Sequence, residues 1–305
     1  MTVRFDDRVA IVTGAGTGLG RTHALGLAAR RARVVVNDLG TSTDGSGASS
    51  AAAEAVVAEI KAAGGEAIAD GANVAKADEV EAMVQRAMAE WGRVDILINN
   101  AGILRDKSFS KMTHADMQAV IDVHLMGSLN CTKAVWDIMK AQQYGRIVMT
   151  TSPSGLYGNF GQANYSAAKL GLVGLMFTLV QEGEKYGIRA NAIAPTAGTR
   201  MTEGLIDENA FKLLTPEAIS AGVLALVAED APNRMVLSAG AGGYSSVHII
   251  ETKGIHLTPE QQTPENVLAG LESLQDRTGA DEFTQGYMQS VKFVGNAARA
   301  LGIEV

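Results

Sequence analysis

The sequence predicts an α/β protein with a doubly wound, seven-stranded parallel sheet and a helical C-terminal extension. Short β-branched runs at residues 9–13, 33–37, 66–69, 95–99, 146–151, 189–194 and 235–239 recur between longer helical patterns. Four of these runs, at 9–12, 34–36, 96–98 and 147–149, are apolar throughout rather than alternating. That pattern belongs to strands covered by helices on both faces, which calls for parallel pairing. Beyond Gly243 the alternation stops, and Tyr287, Val291, Val294, Ala298 and Leu301 trace one amphipathic stripe. The chain is therefore expected to divide into a sheet domain over residues 1–244 and a helical extension over 245–305.

The helices can be placed in order. A helix-compatible run follows the first strand from Arg21 to Arg30, and another spans residues 51–63. Val80, Met83, Val84, Ala87, Met88 and Trp91 recur at helical spacing, and Gly92 stands where a C-cap would end the helix. Residues 162–182 read as one long helix. Thr-Pro-Glu triplets at Thr215, Thr258 and Thr263 each place a capping hydroxyl before a first-turn proline, with a carboxylate at the positive helix end. Residues 41–50, rich in Thr, Ser and Gly, suit a mobile surface loop inserted after the second strand. No internal repeat of fixed period is visible.

With 305 residues, 47% hydrophobic and 19% charged, the chain can build a sizeable core and is neither disordered nor collagen-like. Its formal charge of −7 argues against a nucleic-acid partner. Cys131, the single cysteine, allows no internal disulfide, and with no His/Cys cluster beside it no metal site is expected. The N-terminal residues show no secretory pattern, no window of about 18 uninterrupted apolar residues occurs, and Leu-Gly-Ile-Glu-Val is not a retention or peroxisomal tail. A cytoplasmic protein without membrane attachment is the expectation.

Directly after the first strand comes Thr13-Gly-Ala-Gly-Thr-Gly-Leu-Gly20, followed by a helix. Glycines let a phosphate approach the backbone, and the helix start offers free N–H groups with partial positive charge. Gly14, Thr17, Gly18, Leu19 and Gly20 are thus candidates for holding a dinucleotide pyrophosphate in a Rossmann-type turn. Asp38 ends the second strand twenty residues past Gly18, placed to accept hydrogen bonds from ribose hydroxyls and to repel a 2′-phosphate. No Arg or Lys follows at once, so NAD is expected over NADP; a turn or capping aspartate is the alternative. Asn100, Ala101 and Gly102 close the fourth strand on small residues at the sheet edge where α/β folds bind ligands, although a simple strand-to-loop turn explains them equally well.

Tyr165 and Lys169 lie four apart on one helix face. An ammonium beside a phenol favours phenolate and lowers its pKa toward working pH, so Tyr165 can serve as base toward an alcohol or acid toward a ketone. Lys169 is also placed to bond a ribose. Ser152, thirteen residues before Tyr165, can bring a hydroxyl to the substrate oxygen; Ser154 is a rival donor, and both can equally be strand-end hydroxyls bonding their own backbone.

Together these motifs resemble the short-chain dehydrogenase/reductase family over residues 5 to about 243. The wording Asn-Asn-Ala-Gly-Ile-Leu-Arg-Asp106 and Gly-Asn-Phe-Gly-Gln-Ala-Asn-Tyr-Ser-Ala-Ala-Lys169 resembles the (3R)-hydroxyacyl-CoA dehydrogenase domains of the multifunctional β-oxidation branch. The resemblance implies that Tyr165 is the acid/base, that Ser152 steadies the substrate oxygen, and that Lys169 binds the nicotinamide ribose. It also implies NAD contacts from Leu39, Asn73 and Val74, with carboxamide contacts from Pro195, Ala197 and Thr199. His124 stands where the wider family carries a catalytic asparagine; it is either part of a proton relay through an imidazole titrating near neutrality or a packing residue.

The expected reaction interconverts 3-hydroxyacyl-CoA and 3-oxoacyl-CoA. A steroid or sterol side-chain CoA alcohol is the alternative within the same chemistry, and a non-catalytic NAD(H)-binding scaffold is the alternative outside it. Leu104, Leu156, Tyr157, Phe160 and residues 201–214 are candidates for an apolar cleft, with Arg105, Lys107, Lys111 and Arg200 for CoA phosphates. The resemblance further implies a homodimer or homotetramer packed through the helices carrying His124 and Tyr165, with Val173, Leu175, Phe177 and Leu179 available between subunits. The chain stops at Val305 without the further modules of the long relatives, so a stand-alone dehydrogenase is the expectation.

Overall fold

A computed structural model describes residues 2–47, 49–198 and 207–304. In chain order the elements are β1 (Val9–Thr13), α1 (Gly18–Ala28), β2 (Arg33–Asn37), α2 (Ala51–Ala62), β3 (Glu66–Asp70), α3 (Ala77–Trp91), β4 (Ile96–Asn99), α4 (His114–Ile121), a π-helical turn (Asp122–Met126), α5 (Gly127–Gln142) and β5 (Gly145–Thr150). These are followed by α6 (Pro153–Tyr157), α7 (Ala163–Gly183), β6 (Ile188–Thr196), α8 (Glu208–Leu213), α9 (Pro216–Leu226), β7 (Val236–Gly240) and β8 (Gly243–Val247). The last helices are α10 (Pro264–Ala269), α11 (Leu271–Gln275) and α12 (Tyr287–Leu301).

The strands form one sheet in the order β3-β2-β1-β4-β5-β6-β7-β8. The predicted strands pair in parallel, with Val12 beside Val36 on one side and Ile98 on the other. Their side chains alternate between two buried faces. Ala10, Val12, Val34, Val36, Ile96, Ile98 and Val148 join Leu27, Ile60 and Ile219 in one core, on the side where α1 packs against α2 and α9. Ile11, Val35, Leu97, Ile147 and Met149 are equally buried and point the other way. Each fully buried Val, Leu or Ile contributes roughly 1.5–3 kcal/mol, so continuous apolar strands are what a two-faced sheet requires.

The expected count of seven strands is corrected to eight. Only two residues, Ala241 at φ +48° and Gly242 at φ +78°, separate β7 from β8. So short a connection makes a hairpin, and positive φ at both turn positions matches the right-handed strand twist. An antiparallel edge strand therefore closes the otherwise parallel sheet. It escaped sequence reading because Gly-Tyr-Ser-Ser-Val is polar and its first four residues are exposed.

The chain divides into the units Met1–Ser246 and Val247–Val305, close to the boundary expected at 244. In the second, Glu251 and Asp281 form an isolated antiparallel bridge, while Lys292 on α12 reaches Glu251 at 2.8 Å. Ala298 is its one buried hydrophobic residue among those described. The Thr-Pro-Glu starts are present at α9, at a single 3-10 turn (Pro259–Gln261) and at α10. Gly92 ends α3 in the left-handed conformation, its N–H on Met88 O.

Candidate active site

Strand order reverses between β1 and β4, and α/β sheets bind ligands outside the carboxyl ends of the strands at such a point. A cavity of about 400 Å³ lies there. Gly14, Thr17, Gly18, Leu19, Asp38, Leu39, Asn73, Val74, Asn100, Ala101 and Gly102 line it, together with His124, Tyr165, Lys169 and Pro195. Two predicted cofactor residues stay behind the wall. Gly20 packs under Gly14, where a Cβ would collide with the Gly14 carbonyl, so its bare backbone lets α1 approach the turn. Ala197 is buried at 6% exposure outside the lining, and Thr199 lies outside the described residues, as do Arg200 and residues 201–206.

The turn is held from two sides. Asn100 Nδ2 donates to Thr13 O at 2.9 Å and Gly14 O at 3.1 Å, and Thr13 Oγ1 accepts from the N–H groups of Asn100 and Ala101, both at 3.0 Å. Asn100 thus buttresses the glycine turn. The Asp38 carboxylate accepts from Gly16 N and Gly40 N, each at 2.7 Å. Those bonds hold it rigidly at the end of β2, facing the cavity.

Residues 41–47, expected to be mobile, are pinned across the site. Thr43 O accepts from Leu104 N at 2.9 Å, and Asp44 O accepts from Arg105 Nε at 3.1 Å. Hydrogen bonds from Ser42 and Ser46 hold the Asp44 carboxyl down to about 2. Thr41, Ser42, Thr43 and Gly45 line the cavity, as do Ile103 and Arg105. Thr41, Ser42, Thr43 and Gly45 were missed as cavity-lining residues because loop composition carries no signal of where a loop docks; the one available cue was their position shortly after Asp38.

At the other end, Ser152 caps α6 and accepts from Ser154 N at 3.1 Å. The Ser152 hydroxyl also hydrogen-bonds Tyr165, which favours it over Ser154. Lys169 is 3% exposed; its Nζ donates to Thr150 O at 2.5 Å and stands 5.4 Å from the Tyr165 ring centroid. Sequence spacing therefore brings these three residues together as expected.

Two electrostatic expectations are corrected. Burial pushes the Tyr165 phenol above its ordinary value, opposed by the Ser152 bond. Burial also brings Lys169 down to about 7, so near neutrality its ammonium is only partly charged and does not lower the phenol as expected. His124 does not titrate near neutrality: burial, reinforced by Lys169, holds it well below its ordinary value, and the ring is neutral. Its Nε2 lies 2.8 Å from Ile103 O and 3.1 Å from Ile103 N. One tautomer serves only one of these, and the shorter contact takes the proton. His124 Nδ1 then remains a buried acceptor with no partner among the described residues.

The residues also fit a nicotinamide dinucleotide. The Gly14 and Gly18 backbones have positive φ, the carboxylate of Asp38 stands at one end of the cavity, and the buried amine of Lys169 stands at the other. Among the described residues no cluster of metal-ligating side chains occurs.

Comparison with known proteins agrees with this geometry. The chain is 49% identical over 263 residues to a peroxisomal multifunctional enzyme type 2 of Drosophila melanogaster, covering 86% of this chain and 44% of that one. It is 46% identical over 275 residues to a short-chain type dehydrogenase/reductase of Mycobacterium tuberculosis, covering 90% and 96%. A 3-oxoacyl-[acyl-carrier-protein] reductase of Synechocystis is 46% identical over 230 residues, 73% of this chain and 90% of that one. The chain thus spans about half the length of its multifunctional relative and nearly all of the shorter two. The full-length Drosophila multifunctional enzyme superposes with a TM-score of 0.81 at 38% identity, over 98% of this chain and 51% of that one. A 7α-hydroxysteroid dehydrogenase complexed with NADH and a 7-oxo bile acid superposes at 0.71 with 29% identity, over 79% and 95%. The family model described as short chain dehydrogenase matches residues 8–210. Carrying that match together with the Ser152, Tyr165 and Lys169 cluster beside a cavity at the carboxyl edge of the sheet, the chain belongs to the short-chain dehydrogenase family and is a nicotinamide-dependent oxidoreductase.

Proposed function

We propose that this chain interconverts 3-hydroxyacyl and 3-oxoacyl thioesters of coenzyme A using NAD(H). The observation that carries the reading is the convergence of Tyr165 and Lys169 on a cavity that also presents Asp38, with Ser152 bonded to the phenol. When bound, the nicotinamide supplies the hydride acceptor or donor. Tyr165 takes the proton of the substrate hydroxyl during oxidation, or returns it to the carbonyl oxygen during reduction. Ser152, fixed by the Ser154 N–H, offers its hydroxyl to the same oxygen. Lys169, anchored on Thr150 O, stands beside the phenol and at the ribose end of the cavity. Asp38 favours an unphosphorylated ribose, which supports NAD over NADP.

The thioester class is supported by the 3-oxoacyl reductase relative and by an apolar ledge beside the reaction centre. Tyr157 and Phe160, between Ser152 and Tyr165, are 71% and 90% exposed, so an acyl chain leaving the centre can cover them. Among the candidate phosphate cations, Lys107 is already paired with Asp116 at 2.8 Å, while Arg105 lines the cavity. The likeness to a hydroxysteroid dehydrogenase keeps a steroid alcohol as the second reading.

The test is NADH formation by purified protein given NAD and a panel of (3R)-hydroxyacyl-CoAs and hydroxysteroids. Turnover of the thioesters is expected, with Tyr165→Phe removing most of it and leaving NADH binding nearly intact. A free steroid with the highest specificity constant would reverse the ranking; equal activity in Tyr165→Phe would remove the phenol from the reaction.

A further inference from the structure

We infer that Asn164 is a positioning residue for Tyr165, locking the reactive phenol to the segment that walls the cofactor cavity. This rests on the reading of Tyr165 as the acid/base. Asn164 is 0% exposed, an unusual place for an amide unless all its polar atoms are bonded. They are. Its Oδ1 accepts from the Tyr165 N–H at 2.8 Å, and its Nδ2 donates to Arg105 O at 3.1 Å and Asp116 O at 3.3 Å.

Each bond has a consequence for the phenol. Tyr165 is the third residue of α7, so its N–H has no partner within the helix, and the Asn164 side chain satisfies it. The two carbonyl acceptors belong to other elements. Arg105 follows the β4 edge, lines the cavity and pins residue 44 above it. Asp116 is in the first turn of α4, where it completes a capping box with Thr113 and pairs with Lys107. One buried amide therefore joins the cavity wall, α4 and the first turn of α7 at the residue before the phenol.

Neighbouring bonds run along the same seam. Lys107 N donates to Gly161 O at 2.9 Å, and Gln162 Nε2 donates to Asp106 Oδ2 at 2.6 Å. Both are near the surface and leave the α7 backbone beside Tyr165 untouched. Asn164 alone among these partners acts on the Tyr165 backbone from the interior. Lys169, one turn farther along, is anchored separately on Thr150 O. Loss of the amide should therefore misplace the phenol while leaving in order the lysine, which has its own anchor, and the glycine turn, which Asn100 holds.

The experiment compares Asn164→Ala and Asn164→Ser with the parent, measuring NADH affinity by fluorescence titration, KM for a turned-over alcohol, kcat and the thermal midpoint. Serine keeps a hydroxyl in the buried site but is too short to replace the amide's bonds to Tyr165 N and the two carbonyls, and it carries the test if the alanine variant does not fold. Displacement of a reacting group by about 1 Å can cost about 100-fold, so kcat should fall about 10- to 100-fold with NADH affinity and KM within about threefold of the parent. A lowered thermal midpoint with kcat within about twofold would reduce Asn164 to a structural residue and overturn the inference. Weakened NADH binding with kcat preserved would overturn it too. Tyr165→Phe is run beside them: if it retains turnover, the acid/base reading falls and this inference with it. An inactive Tyr165→Phe beside an unaffected Asn164→Ala defeats the positioning role alone.

Discussion

The imidazole of His124 meets the phenol ring of Tyr165 edge-on, with ring centroids 5.0 Å apart and planes at 86°. A T-shaped contact of this kind aligns the positive edge of one ring with the negative face of the other. The imidazole is placed by its bond to Ile103 and by Gly102, whose missing side chain leaves the space the ring fills. Being buried and neutral, His124 acts on Tyr165 by packing and dipole rather than by charge. His124→Gln should therefore lower kcat about tenfold, the order of one lost aromatic contact, without moving the midpoint of the kcat profile against pH. A midpoint displaced in the variant would show that the imidazole itself titrates in the working range.

Lys169 gives the ligand-free protein a pH signature. Burial depresses it in the folded state to about 7, against 10.5 ordinarily. Between those values the unfolded chain holds a proton that the folded chain has released, so stability rises with pH across the window. Below about pH 7 the folded protein must bury the ammonium, and the stabilisation from releasing it is gone. Thermal midpoints measured between about pH 6 and pH 9.5 should climb more steeply for the parent than for Lys169→Met, which has no proton to release. Parallel curves would mean that the amine keeps an ordinary affinity for its proton.

Asp38 is locked by Gly16 and Gly40 with its charge toward the cavity, so it cannot swing away from a phosphorylated ribose. Asp38→Asn preserves the shape and an acceptor oxygen but removes the repulsion. The proposed preference for NAD over NADP, taken as the ratio of kcat/KM values, should narrow by about tenfold or more. An unchanged ratio would assign the choice to residues 41–47, whose hydroxyls share that end of the cavity.

Motifs fixed by local geometry were legible in the sequence. Gly14, Thr17, Gly18 and Leu19 of the glycine turn, Asp38 and the pair Tyr165 and Lys169 each follow from a strand end or from one helical turn, and these line the cavity. Contacts dictated by packing between distant segments were not. Residues 41–47 look like a free loop until Leu104 and Arg105 are seen to hold them, and Asn164 is one more polar residue until its burial is known. Charge states failed for the same reason: spacing places Lys169 beside Tyr165, but the depth that brings the amine down to about 7 arises from the whole fold. Val173, expected between subunits, is buried at 1% inside its own chain and is removed from that role.

The remaining apolar surface of the sheet unit points to self-association. Residues Ala163–Tyr186, α7 and its closing turn, average a hydropathy of 1.3 over their most apolar stretch, yet only 39% of that stretch is buried. By length and composition this segment could cross a membrane, but it carries Tyr165 and the buried Lys169, and its Leu172 and Met176 are sealed in the core. What stays outside is Leu170 at 46% exposure, with Met126 and Leu129 of the neighbouring π-helical turn and α5 at 40% and 39%. Leu175, Phe177 and Leu179 are half-buried on the same helix. Exposed aliphatic residues on two adjacent helices suit a self-complementary contact about a twofold axis, so a homodimer or homotetramer is expected. Sedimentation at micromolar concentration should give a multiple of the chain mass, and Leu129→Lys combined with Leu170→Lys should shift it toward the monomer by burying charge at the contact. A parent protein that sediments as a monomer would refute the assembly, and an oligomer unmoved by the double variant would place the contact on another face.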